Sequence, residues 1–349
     1  MSNVSLFIGS KIYEYWQSVR IVRSLDAVSG SFEVGLTNDW STAIAGGTFK
    51  PGQDVKLAID DEVILTGFID DVAVQYSTSE HAFTLRGRDA TGQLVDCAAD
   101  RGKTQFKDKT LTQICTSLCQ PFGVGVIAKT DVGQPFKQID VQQGEKVFEI
   151  IERLCAGRAV AATSDGNGNL VLARTGTTKS GRLELGKNIL TGNHERSWRE
   201  QFSEYLVKGQ ARSGLNLAPA THTQPKAQAT DPSLKGFFRP FTLLAETQGD
   251  DAKFAERAKF EAARRAGAAS KATYTVQGWR NGGNTGALWQ PNTLVDVVDK
   301  FAGINREMLI TSVTFNKDDS GTITTLGVTR PEAFDRLALP EDTGGGLFG

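Results

Sequence analysis

Over residues 1–95 apolar and polar positions alternate with period two. Val19 and Ile21 follow the pattern, as do Phe32, Val34 and Leu36; Val55, Leu57 and Ile59; Val72, Val74 and Tyr76; and Phe83 with Leu85. Such alternation puts one face of each strand on a core and the other in water. The breaks between runs are Gly46-Gly47, Asp60-Asp61 and the polar stretch from Ser77 to Glu80. Several short strands joined by turns predict an antiparallel barrel or sandwich.

The period then lengthens. Leu111, Ile114, Cys115, Leu118 and Cys119 share one helical face behind a Thr110 N-cap, and Pro121 and Gly123 end the helix. Val147, Ile151, Leu154 and Cys155 form a second stripe, stopped by Gly157. Val160 to Thr163 and Leu170 to Ala173 flank Asp165-Gly166-Asn167-Gly168-Asn169, a hairpin signal. Strand character returns with Phe202, Tyr205 and Val207, and the polar stretch from Ser213 to Gly236 reads as a long loop. Asp250-Asp251 open a third helix and Arg264, Arg265 and Lys271 close it, matching the helix dipole. Phe254, Ala258, Ala262 and Ala266 give that helix a thin stripe suited to close packing. Strands resume from Thr273 to Arg330, before a glycine-rich tail.

Two segments repeat each other. Placing Pro51 of FKPGQDVKLAID on Pro291 of LWQPNTLVDVVD puts Val55 on Val295 and Leu57 on Val297. After a one-residue insertion Ile69 meets Ile310, Val72 meets Val313, Val74 meets Phe315 and Leu85 meets Leu326. This reads as one barrel design written twice, the second copy interrupted by the loop and helix. The expected fold is mainly β with α+β insertions, built on two similar antiparallel β-barrel domains. The first barrel spans 1–95 and the second 186–212 with 273–335. A smaller α+β domain occupies 96–185, an inserted loop and helix 213–272, and a flexible tail 336–349.

Charge refines this division. The net charge is −1, which excludes an overall basic surface for nucleic acid. Residues 1–100 hold 7 Lys and Arg against 14 Asp and Glu, whereas residues 101–187 hold 13 against 8. No stretch reaches the roughly 18 apolar residues of a membrane span, and the N-terminus carries no secretory pattern, so no stable membrane insertion is expected. Cys97, Cys115, Cys119 and Cys155 read as reduced thiols rather than metal ligands, consistent with assembly in a cytoplasm.

No catalytic constellation can be assembled. His81, His194 and His222 lack partners at ligand spacing, and His81 and His222 read as solvated side chains. No nucleophile elbow, Walker loop or dinucleotide fingerprint stands in its required context, and Gly282 to Gly286 reads as a loop. The run from Asp165 imitates the start of a calcium loop, but Gly176 stands where its bidentate glutamate belongs. Asp70-Asp71 and Asp318-Asp319 are adjacent on strands, so each pair points to opposite faces. Neither enzyme nor cofactor chemistry is expected. VQQGEKVFEIIERLC, from Val141 to Cys155, has a strand, a glycine and an amphipathic helix and resembles the start of small peptidoglycan-binding modules, which keeps a peptidoglycan-binding or lytic role as an alternative.

PGQDVKLAID followed by ILTGFIDDVAV resembles the N-terminal barrel of phage tail hub proteins. LWQPNTLVDVVD followed by GINREMLITSVTF resembles their second barrel. The chain is most similar to baseplate hubs of Mu-like contractile-tailed phages, then to other myophage hubs and the hub half of type VI secretion spikes. The resemblance spans residues 1–335 and implies a homotrimer whose six similar barrels join a hexameric tail tube, or an adaptor protein, to a trimeric central spike. DNA would pass through in transit, other baseplate proteins would surround the hub, and its place would be the virion tail baseplate. No spike or lysozyme region is read after residue 335, so the piercing tip would be a separate protein. A bacterial secretion-system spike hub is the remaining alternative. Pro51, Gly52, Trp289, Pro291 and Asn292 are the candidate architectural positions, with Phe254, Ala258 and Ala262 on a packing helix. Trp289 reads equally as a core anchor or a subunit contact.

Overall fold

A computed structural model describes residues 3–14, 16–39, 48–78, 80–99, 104–158, 160–208, 226–244, 251–282 and 286–334. The first part is all strand: β1 (Val4–Ile8), β2 (Lys11–Tyr13), β3 (Ser18–Ser24), β4 (Ser31–Asp39), β5 (Asp54–Ile59), β6 (Glu62–Tyr76) and β7 (Glu80–Asp89). The mixed part follows with α1 (Gly92–Asp96), β8 (Gln105–Lys109), α2 (Leu111–Cys119), β9 (Gly125–Ala128), β10 (Phe136–Asp140), α3 (Val147–Gly157), β11 (Ala161–Ser164) and β12 (Asn169–Ala173). Next come β13 (Lys179–Glu184), β14 (Ile189–Arg196), β15 (Glu204–Lys208), β16 (Lys226–Thr230) and β17 (Pro240–Leu244). The last elements are α4 (Asp251–Ala268), β18 (Ser270–Gln277), β19 (Leu294–Asp299), β20 (Ile304–Asp318) and β21 (Gly321–Thr329).

The strand pairing does not close the two expected β-barrels. Among the described residues thirteen strands form one open sheet in the order β14-β18-β21-β20-β3-β4-β7-β6-β5-β1-β2, with β19 on β20 and β13 on β19. The cause lies in β20, a 15-residue strand. Its first half pairs with β19 over Ile304–Leu309, and its second half pairs with β3 over Ser312–Lys317. The edge of β3 that would close a first barrel is therefore occupied by the other half of the chain. Inward-facing residues of both halves, including Ile21, Leu57, Leu85, Trp279, Val313, Phe315 and Leu326, share one buried core.

The mixed segment has its own core, in which Leu111, Ile114, Cys115 and Leu118 of α2 meet Val147, Ile151 and Leu154 of α3. The capping box at Thr110 is present: Thr110 Oγ1 accepts from Gln113 N and Gln113 Oε1 accepts from Thr110 N. At α3 the Glu149 carboxylate accepts from Lys146 N at 3.0 Å. A third core joins Tyr205 and Val207 of β15 to Phe254, Ala258 and Ala262 of α4. Here the sequence reading of residues 186–212 as second-barrel strands fails in part. β14 does join the large sheet, but β15 pairs with β16 and β17 in a separate three-stranded sheet under α4. The stretch read as a loop contains β16 and a 3-10 turn at Pro232–Leu234, while its residues 213–225 lie outside the described residues, as do the proposed tail 336–349 and His222.

Candidate assembly interface

The repeat is visible in backbone detail. Pro51-Gly52 and Pro291-Asn292 open β5 and β19, with φ of +84° at Gly52 and +62° at Asn292. Proline fixes its own φ, and the next residue takes the left-handed conformation that Gly and Asn tolerate best. Both turns are tied down identically. Gly52 N donates to Ile69 O at 2.8 Å, and Asn292 N donates to Ile310 O at 2.9 Å. Ile69 N and Ile310 N return bonds to Gln53 O and Thr293 O at 3.0 and 2.9 Å.

β6 and β20 are each 15 residues long. Each carries a bulge on its hairpin partner, between Ile69 and Asp71 in one and between Ile310 and Ser312 in the other. The single-residue offset has a local origin. The β5–β6 turn spans Asp60-Asp61 while the β19–β20 turn spans Lys300 to Gly303, two residues longer. A bulge at Ile64 in the first copy, absent from the β19–β20 ladder, takes one residue back. Bulges re-aim a strand, so a repeated bulge repeats the curvature of the sheet.

The candidate positions divide by environment. Pro51 and Gly52 are exposed, Pro291 and Asn292 half-buried. Trp289 is only 2% exposed and packs in the large core, which makes it an anchor within the chain. Phe254, Ala258 and Ala262 are buried against β15 and β16. Asn292 does more than make a turn: its Oδ1 accepts from Gly176 N at 2.7 Å and its Nδ2 donates to Arg174 O at 3.0 Å. Residues 174–176 leave the mixed segment, so this side chain fastens that segment to the second β copy. Only glycine fits at 176, since a Cβ there would lie 1.9 Å from Asn292 O.

The mixed segment also docks on the first copy. The hairpin turn that follows Ser164 is built by Asp165, whose Oδ1 accepts from Asn167 N and Asn169 N at 2.7 and 3.1 Å. One carboxylate oxygen is thus held by backbone amides and the other by the Asn169 side-chain amide at 2.8 Å. Gly166 O accepts from Thr66 N of β6 at 2.7 Å, and Arg23 Nη2 donates to Ser164 O at 3.3 Å. Across the two copies, Arg280 meets Asp60 at 3.3 Å and Glu62 at 3.4 Å. A cleft of ≈ 720 Å³ remains beside these contacts, lined by charges of both signs such as Arg23, Lys129, Arg174, Glu62 and Asp165.

Among the described residues no cluster of three His, Cys, Asp or Glu side chains could hold a metal. Asp70 is engaged by Arg88 through bonds of 2.7 and 3.2 Å. Asp318 accepts from Ser320 N in its own turn. His81 corrects the sequence reading: it is buried on β7, 5.2 Å from the Phe83 ring, because period two places residues 81, 83 and 85 on the same inward face. His194 bonds Ser270 Oγ at 3.1 Å, and burial with Arg196 nearby lowers its pKa. Burial pushes the Cys119 thiol up to about 12, and contact with Cys155 together with burial raises Cys115. These thiols are inert core groups. Among the described residues no helix is long and apolar enough to cross a membrane.

The chain is thus mostly β, carrying one strand-turn-strand design twice with a mixed segment docked on both copies. Residues 3–89 match the N-terminal domain of the Mu baseplate assembly protein GpP-like family. Residues 91–174 match the second domain of the gp44-like baseplate hub protein, and 250–337 the fourth domain of GpP. The chain is 33% identical to baseplate hub protein gp44 of Escherichia phage Mu over 344 residues, covering 96% of this chain and 89% of that one. It belongs to the family of Mu-type phage baseplate hub proteins, structural components of the tail.

Solved structures agree. A 43 kDa tail protein of prophage MuSo2 from Shewanella oneidensis has TM-score 0.83 and 38% identity, covering 96% of this chain and 100% of that one. A tail protein from Neisseria meningitidis MC58 has TM-score 0.75 and 22% identity, covering 95% and 98%. The E. coli c3393 protein, a type VI secretion component, shares the fold at TM-score 0.59 and 14% identity, covering 96% and 80%.

Proposed function

We propose that the chain acts as a homotrimeric hub, each subunit contributing two similar β units to a ring of six. Such a ring mates a sixfold tail tube, directly or through an adaptor, with a threefold central spike, and other baseplate proteins pack around it. The observation that carries this reading is the duplication within one chain: the same proline turn, strand length and bulge occur at β5–β6–β7 and β19–β20–β21. A duplicated unit lets three chains imitate sixfold geometry, which a single unit per chain cannot do.

The ring would enclose a passage for DNA. The excess of acid over base in residues 1–100 supports a lumen that repels the phosphate backbone. Sedimentation of the purified chain, alone and with its cognate spike protein, tests the trimer: three times 37.7 kDa is expected. Persistent monomer in both conditions overturns it. Tight duplex binding at physiological salt would contradict the repelling lumen.

A further inference from the structure

The junction between the two β copies is a template for a second junction. In the first, β20 faces β3 with Val313 opposite Arg23, Phe315 opposite Ile21 and Lys317 opposite Val19. Both strands have a counterpart in the other copy. β6 is the counterpart of β20, with the same length and bulge. β14 is the counterpart of β3, because β3 leads through β4 to β7 and β14 leads through β18 to β21.

The registers can be followed residue by residue. Val19 faces Val34, which faces Leu85. Leu326, the equivalent of Leu85, faces Tyr274, which faces Gly192. Val19 thus corresponds to Gly192, Ile21 to His194 and Arg23 to Arg196, while Val313, Phe315 and Lys317 correspond to Val72, Val74 and Tyr76.

Among the described residues both counterparts have an open edge. β5 pairs with β6 only as far as Phe68, so residues 72–76 meet β7 on one side and no strand on the other. Residues 191–196 of β14 pair with β18 alone, the bridge between Ile189 and Leu185 lying ahead of them. On this open stretch Val74 and Tyr76 are 47% and 76% exposed, whereas Phe315, in the position equivalent to Val74, is 1% exposed against β3. Open edges with apolar side chains invite strand addition.

We propose that residues 72–76 of β6 pair antiparallel with residues 192–196 of β14 in the next copy of this chain. The register is Val72 opposite Arg196, Val74 opposite His194 and Tyr76 opposite Gly192. This deepens the trimer reading and rests on it, naming the strands through which one subunit meets the next. The pairing reproduces the intrachain junction, down to a valine opposite an arginine at the bulge end. It is head-to-tail, the class of contact that closes into a ring when its rotation permits. It also covers the two open edges at once.

Paired cysteines test it. Directly opposed antiparallel residues have Cα atoms about 4.5–5.5 Å apart, within disulfide reach. Gln75→Cys combined with Asn193→Cys, both on exposed side chains, should give covalent dimer and trimer on mild oxidation. Neither single substitution should do so, and each serves as the control for the native thiols. Gln75→Cys with Glu195→Cys, displaced by two residues, should crosslink at least tenfold less. Val74→Lys should weaken the trimer tenfold or more with an unchanged thermal midpoint of the protomer. A trimer by mass whose 75/193 pair stays reduced, or crosslinks no better than 75/195, overturns this pairing and leaves the trimer standing. A chain that remains monomeric with its spike overturns the trimer and the pairing together.

Discussion

Gly52 and Asn292 hold equivalent left-handed positions but carry unequal loads. A Cβ added at Gly52 meets no atom within 4 Å, so Gly52→Ala isolates the conformational cost, about 1–2 kcal/mol. At Asn292 the backbone demand is joined by the two side-chain bonds to Arg174 and Gly176. Asn292→Ala should cost about 3 kcal/mol, and Asn292→Gly about 2 kcal/mol because it restores only the backbone. Urea midpoints for the three variants check this order. The turns themselves were legible, since proline and its follower constrain φ locally. The clamp was not: its partners lie 116 and 118 residues away and are backbone atoms, which leave no mark on composition. His81 was misread for a related reason, as a titratable residue beside a turn looks solvated until its inward register is known.

At the scale of elements, periodicity and capping made α2, α3 and α4 readable, because helices answer to contacts three and four residues away. β16 and β17 escaped, since KAQAT and PFTLL are short and only half-covered, with no alternation strong enough to stand out. The load on α4 was equally hidden. Glu261 is buried there, bonded to Arg264 at 2.9 Å and Arg265 at 2.7 Å. Burial alone would raise its pKa, but the two guanidinium groups outweigh it and hold the carboxyl below its ordinary value. A depressed folded value means that its stabilisation is complete above the unfolded value of about 4.3 and fades as pH falls through the folded one. Glu261→Gln should therefore cost about 3 kcal/mol at pH 7 and clearly less near pH 3. Urea unfolding at both pH values decides it, equal losses being the contrary result. In the mixed segment, the buried Cys115 and Cys119 should stay unreactive to a thiol reagent at pH 8 until the chain unfolds, as absorbance during labelling would report.

Across the whole molecule, the duplication was legible and the closure was not. Alternation identifies a strand and its buried face but is silent on which distant strand lies beside it. β3 and β20 meet through Ser24 and Ser312, at opposite ends of the chain, and among the described residues that pairing joins the strands of both expected barrels in one sheet. The energetic consequence is shared fate. Phe315 packs 6.2 Å from the Trp279 ring within a core that also contains Ile21, Leu57 and Leu85 of the first copy. Phe315→Ala should cost about 3–5 kcal/mol by opening a cavity at this junction. If the two copies unfold as one unit, amide exchange should accelerate as much in β3 and β4 as in β18 and β21, while α2 and α3, which pack around a separate core, keep their protection. Acceleration confined to residues 270–329 would mean that each copy is stable alone, and that the β3–β20 ladder joins two finished units without making them one.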